Sequence, residues 1–256
     1  SLPLDPDALV FTAGSGAALD LLLAQHRAHS NVVFTEKFSY HNALTMMRDH
    51  EYTIKPLPDD GLGGLQFDAV DAAFATQPGA LCYLVPSFSN PRGTTMLAEE
   101  RRMLVELAGK HRVRIIADEV YSLLAFEDEV PPSFASFDPS GRVAVTLGSF
   151  TKIAGPGLRL GWMEFGASGA GEVDETWRAS VLSRGVLVNG GCLNQLSAWS
   201  VGKWIEDGHF LEHLRRLRGR LRQRAHALWK PLSEGLNPDR YRFMKPMGGY
   251  FLWLHS

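Results

Sequence analysis

The segment Gly148-Ser149-Phe150-Thr151-Lys152 leads into Gly155-Pro156-Gly157-Leu158-Arg159-Leu160-Gly161-Trp162. Solvated surface charges would not call for two glycines, a proline and two hydroxyls around Lys152 and Arg159. Further charged, polar and aromatic groups follow short apolar runs elsewhere. Gly14-Ser15-Gly16 opens directly into a helical pattern, and bare N–H groups at such a terminus, with Ser15 and Gly16 in the turn, form a phosphate cradle; a tight strand-to-helix turn has the same sequence. Tyr40 stands near the end of a strand-like run, available for stacking or for the core. Asn90 sits in the rigid turn Pro86-Ser87-Phe88-Ser89-Asn90-Pro91-Arg92-Gly93, where its amide either faces a ligand or bonds its own backbone. Asp118 and Tyr121 lie in Asp118-Glu119-Val120-Tyr121 at the end of another apolar run. A carboxylate beside a strand buried on both faces needs a partner to stay charged, unless it caps a helix instead.

The elements that must position these groups alternate. Strand-like runs are expected at Leu9–Thr12, Val32–Thr35, Tyr52–Leu57, Leu81–Val85, Val113–Ala117, Val143–Leu147 and Leu160–Phe165. Between them, Ala17–Arg27, His41–His50, Phe67–Thr76 and Leu97–His111 carry apolar residues at helical spacing. This order predicts an α/β fold: a mostly parallel seven-stranded sheet with helices on both faces. No helix separates the last two strands, which leaves room for one of them to run antiparallel. Ligands of such sheets bind outside the carboxyl ends of the strands, where each candidate group lies. Beyond the Gly-rich stretch Gly166–Gly171, helical patterns are expected at Val173–Leu182, Leu193–Asp207 and His209–Leu232, then a strand at Tyr250–Leu254. The expected domains are residues 1–190, a helical connection over 191–235, and the start of a small α/β domain over 236–256.

Composition removes several classes. Of 256 residues 45% are hydrophobic and 21% charged, a globular balance, and the formal charge of −2 gives no global basic footprint for nucleic acid. The arginines between Arg215 and Arg224 read as the solvated face of a long helix. Cys82 and Cys192 are far apart and outside any zinc spacing, so neither a disulfide framework nor a metal site is expected. No apolar run reaches membrane length and no signal peptide is legible, so a soluble cytoplasmic protein with no membrane partner is expected.

Three pieces of the sequence occur together in one known family. Asn90-Pro91-x-Gly93, Asp118-Glu119-Val120-Tyr121 and Ser149-x-x-Lys152 with Gly157-Leu158-Arg159-x-Gly161-Trp162 resemble, in order and spacing, the class I/II aminotransferases, fold type I pyridoxal 5'-phosphate enzymes. Pro246-Met247-Gly248-Gly249-Tyr250-Phe251 is similar to their entry into the C-terminal domain. Two departures stand out: Phe38 where relatives often carry proline, and Gly16 in place of a usual glutamine. The resemblance implies the large domain of that fold and the cofactor pyridoxal 5'-phosphate. It implies a Schiff base on Lys152, whose amine then moves a proton, with Asp118 at the pyridine nitrogen and Tyr121 and Asn90 at the phenolic oxygen. Arg159, Ser149, Thr151 and the N–H groups around Ser15 and Gly16 are implied for the phosphate, and Tyr40 for stacking on the ring.

The activity so implied is amino transfer between an α-amino acid and a 2-oxo acid in a homodimer. The alternatives are a non-catalytic ligand-sensing domain, as in aminotransferase-like transcription regulators, or another reaction of the fold such as a β-lyase. Because these relatives begin upstream of the first strand and continue past the Gly-Gly-Tyr-Phe segment to a carboxylate-binding arginine, the 256 residues are expected to be a fragment. Weak activity, or none, and aggregation are expected of it alone.

Overall fold

The computed structural model describes residues 9–127, 132–166, 175–190 and 194–255. Seven strands form one sheet: β1 (Leu9–Thr12), β2 (Val32–Thr35), β3 (Thr53–Pro56), β4 (Leu81–Leu84), β5 (Arg114–Asp118), β6 (Ala144–Ser149) and β7 (Gly161–Phe165), ordered β1-β7-β6-β5-β4-β2-β3. β2 through β6 pair in parallel, whereas β7 lies antiparallel between β1 and β6. The reversal has a functional consequence. The chain leaves β1 and β6 and enters β7 at the same edge of the sheet, so the loops after Thr12 and Ser149 meet the loop before Gly161.

Helices α1 (Ser15–His26), α2 (His41–Asp49), α3 (Phe67–Ala75) and α4 (Ala98–Lys110) make the crossovers that parallel strands require. Side chains alternate across each strand, and in β2, β4, β5 and β6 both sides are buried. Leu81 and Tyr83 of β4 face a core shared with α1 and α2, while Cys82 and Leu84 face one shared with α3 and α4. That double burial is why the central strands read as continuous apolar runs rather than alternating ones.

After β7 come α5 (Glu175–Leu182), α6 (Gly185–Gly190), α7 (Gln195–Glu206) and the 27-residue α8 (His209–Gly235). The short α6 was not anticipated by the helical pattern. Cys192, Asp128 and Glu129 of the acidic loop, most of the Gly166–Gly171 stretch, and the starts of the Val173 and Leu193 patterns lie outside the described residues. Among the described residues no helix is long and apolar enough to cross a membrane.

One expected element is corrected. Tyr250–Leu254 is not a strand but extended chain between two isolated bridges, Ala125 with Gly248 and Arg242 with His255. A strand needs a ladder partner, and among the described residues none pairs with this segment. The aromatic residues that made the run look strand-like serve another purpose: Tyr250 and Phe251 set their rings 6.0 and 5.6 Å from the ring of Tyr121.

Candidate active site

All ten residues singled out from the sequence line one cavity of about 260 Å³ at the carboxyl edge of the sheet: Ser15, Gly16, Tyr40, Asn90, Asp118, Tyr121, Ser149, Thr151, Lys152 and Arg159. A larger groove, about 370 Å³ between α8 and the Lys245–Met247 segment, contains none of them.

Asp118 is the last residue of β5 and 5% exposed. Its Oδ2 accepts a hydrogen bond from Tyr83 Oη at 2.8 Å, while Oδ1 is buried without a partner. Burial pushes the carboxyl up to about 6, against the pull of the Tyr83 hydroxyl, the Val120 N–H and the charge of Lys152. An unpartnered buried carboxylate oxygen is costly, and a donor arriving through the cavity would relieve it. The sheet register explains the pairing. Tyr83 is level with Ile116 of β5, and Asp118 is the next residue on that face.

Lys152 is half-buried, its Nζ 5.9 Å from the centroid of the Tyr121 ring, and its backbone carbonyl accepts from Tyr250 Oη at 2.7 Å. The Tyr121 hydroxyl faces Asn90 Nδ2 at 3.5 Å. Burial first, then the charge of Asp118, pushes that phenol up to about 12, so it stays protonated at neutral pH. Asn90 precedes a cis peptide bond to Pro91 in the turn after β4.

The opposite end of the cavity is rich in donors. Helix α1 begins at Ser15, so the first N–H groups of its opening turn have no helical partner. A Cβ on Gly16 would meet no protein atom within 4 Å, so the glycine leaves the space before the helix open. The Ser149 hydroxyl donates to Thr151 Oγ1 at 2.9 Å and accepts the Thr151 N–H at 3.1 Å, which folds this hydroxyl pair into a tight turn before Lys152. Arg159 adopts a left-handed backbone (φ 44°) that turns it toward α1, and its Nη2 donates to the Ala13 carbonyl at 3.1 Å. Asn194, the N-cap of α7, donates to the carbonyls of Leu158 and Arg159 at 2.5 and 3.2 Å and so holds that turn.

Several participants escaped sequence reasoning. Tyr83 is fully buried in an otherwise apolar strand, and its hydroxyl was the available signal, since a buried phenol normally has a partner. Asn42 lines the cavity and donates to Tyr40 Oη at 2.8 Å, two residues along the chain. Tyr250 and Asn194 come from the second half of the chain, where sequence spacing says nothing of proximity.

Residues 1–256 match the family described as aminotransferase class I and II. Among curated relatives, the aromatic-amino-acid aminotransferase 1 of Thermococcus litoralis is 28% identical over 98% of this chain and 59% of its own length. The uncharacterized HTH-type transcriptional regulator YisV of Bacillus subtilis is 30% identical over 98% of this chain and 49% of its own length. Among solved structures, LysN, the α-aminoadipate aminotransferase of Thermus thermophilus, superposes with a TM-score of 0.80 at 25% identity, covering 99% of this chain and 62% of that one. The chain thus spans about half to three-fifths of the length of these relatives. With a match over its whole length and the fold described above, the chain belongs to the class I and II aminotransferases, a family of fold type I pyridoxal 5'-phosphate proteins.

Proposed function

We propose that these residues form the cofactor-binding core of an enzyme that passes an amino group between an α-amino acid and a 2-oxo acid. One observation carries the reading: the amine of Lys152 and the unpartnered Oδ1 of Asp118 belong to the same small cavity, with a cluster of N–H, hydroxyl and guanidinium donors at its other end. Pyridoxal 5'-phosphate fits this arrangement. Asp118 Oδ1 would take the protonated ring nitrogen, Asn90 and Tyr121 would donate to the phenolic oxygen, and Tyr40 would cover the ring. Arg159, Ser149, Thr151 and the α1 terminus at Ser15 and Gly16 take the phosphate. When bound, the cofactor withdraws electrons from the substrate α-carbon.

The protein's own part is attachment, orientation and proton traffic. Lys152 would anchor the cofactor through its amine and would carry a proton to and from the substrate α-carbon. Asp118 keeps positive charge on the ring because an anion beside the nitrogen favours its protonated form. Tyr121, held protonated, offers a fixed donor beside Lys152.

Residues 1–190 are read as the cofactor domain, 191–235 as the helical connection and 236–256 as the entry to a smaller domain. A homodimer belongs to the same reading; Val188, Leu196 and Trp199 on the helices after β7, each at least 70% exposed, leave apolar surface there for a partner to cover. A cytoplasmic site of action accompanies this reading. Single-turnover conversion of the protein-bound cofactor by a panel of amino acids, in the full-length protein, tests the activity. Absence of conversion with every donor overturns it.

A second reading is favoured by relatives such as YisV and the uncharacterized HTH-type regulator YdcR of Escherichia coli, 29% identical over 99% of this chain. On that reading the same cavity senses ligand within a transcription regulator. A helix-turn-helix in the parent reading frame, together with cofactor binding but no amino transfer, would favour it.

A further inference from the structure

We infer that Tyr83 is a positioning residue for the cofactor chemistry, fixing which oxygen of Asp118 faces the cavity and holding that carboxylate ionised. The inference rests on the cofactor reading above and extends it to a residue outside the cavity lining. A carboxylate at a strand end is free to rotate about its last bond. Here one oxygen is tethered at 2.8 Å by a phenol whose own ring is locked, since Tyr83 is 0% exposed in the centre of the sheet. The other oxygen is left buried and unpaired. The tether therefore does more than satisfy a buried hydroxyl: it selects Oδ1 as the acceptor available to a ring N–H.

The donor is permanent. Burial, and then the neighbouring Asp118 charge, push the Tyr83 phenol well above its usual range, so its proton stays in place at working pH. Burial of Asp118 favours the neutral acid, and the Tyr83 bond is the largest of the contributions that oppose it, ahead of the Val120 N–H. The other charged and titratable groups coupled to the pair are Lys152, which favours the Asp118 anion, Glu36, Glu119 and Tyr121, which feel the Asp118 charge, and Glu36 and Tyr40, which act on Tyr83. Lys152 sits across the cavity and Glu36 at the end of β2. Of these groups, Tyr83 is the hydrogen-bond partner of the carboxylate.

Tyr83→Phe removes one oxygen and keeps the ring. Losing the donor makes Asp118 more basic, so the ring nitrogen carries less positive charge, and protons elsewhere on the bound cofactor are lost at higher pH. In the full-length holoprotein, the pH midpoint of the cofactor's visible absorbance should rise by about one unit, and kcat should fall about tenfold with KM changed less than about twofold, the expectation for loss of one hydrogen bond to a charged group. In an Asp118→Asn background, Tyr83→Phe should leave that absorbance titration where Asp118→Asn alone puts it. A holoprotein Tyr83→Phe that titrates like the wild type, or an equal shift on the Asp118→Asn background, overturns the assignment while leaving the cofactor reading intact. Failure of the wild type to take up pyridoxal 5'-phosphate would overturn both.

Discussion

Arg159 reaches back over Gly14: its Nη2 donates to the carbonyl of Ala13 at 3.1 Å and stands 3.1 Å from where a Cβ on Gly14 would lie. Residues 146 positions apart are thus joined through the reversal of β7. Gly14 also has a φ of +96°, which disfavours any side chain. Two independent demands, conformation and room for a guanidinium, coincide on this residue.

Gly14→Ala is therefore expected to destabilise the protein by about 1 kcal/mol from backbone strain and to weaken binding of pyridoxal 5'-phosphate by about tenfold or more through displacement of Arg159. Gly16→Ala separates the two effects. Gly16 lies in the first turn of α1 with nothing within 4 Å of its Cβ position. The variant should keep or slightly raise the melting temperature while weakening cofactor binding. Equal stability and equal affinity in both variants would remove the phosphate role from this turn.

Lys152 is expected to carry the cofactor covalently. Borohydride reduction of the loaded protein followed by peptide mapping should place the adduct on Lys152, and Lys152→Ala should yield none. An adduct on Lys37 or Lys203 would refute the assignment.

The sequence made the strands and the loaded loops legible because doubly buried parallel strands produce unbroken apolar runs, and the polar groups after them stand out against that background. The antiparallel placement of β7 was left open, since strand direction depends on what the loop around Pro156 and Arg159 does in space. Tyr250–Leu254 misled for the opposite reason: aromatic residues that look like strand formers pack on Tyr121. The identity of Asp118's partner was beyond reach. A buried carboxylate demands one, but only the register of β4 against β5 shows that it is Tyr83.

Asp118 also makes stability depend on pH. In the cofactor-free protein its carboxyl is raised to about 6 from 3.8. Between these values the folded state holds more protons than the unfolded one, so stability falls as pH rises through this window. About 3 kcal/mol is lost across it for this single group. Glu36 and Glu119, whose carboxyls burial raises to about 8 and about 7, add declines of the same sign, so in denaturant midpoints of cofactor-free protein at pH 4.5 and 7.5 Asp118→Asn should remove only the Asp118 share of the difference. A difference between wild type and Asp118→Asn that does not change between the two pH values, or changes with the opposite sign, would mean that Asp118 is ionised and stabilised in the empty site.

Arg101 offers the sharpest stability test. It lies on α4, 0% exposed, and its guanidinium bonds Glu119 Oε1 at 3.1 Å, the Pro132 carbonyl at 2.6 Å, the Pro86 carbonyl at 3.2 Å, Ser87 Oγ at 2.8 Å and the Met96 carbonyl at 3.1 Å. One side chain thus ties the turn leading to Asn90 to the residue after Asp118. Glu119, 5% exposed, also accepts the Phe134 N–H at 2.7 Å, so removing the arginine would leave a buried carboxylate without its counter-charge and take away four loop contacts. Arg101→Met should cost about 3–5 kcal/mol, as breaking one side of a buried ion pair does. Adding Glu119→Gln should recover part of this loss, because the stranded charge is gone while an acceptor for Phe134 remains. Urea denaturation of the single and double variants measures both quantities. A single variant within about 1 kcal/mol of the wild type would show that these loop segments hold their places without this guanidinium.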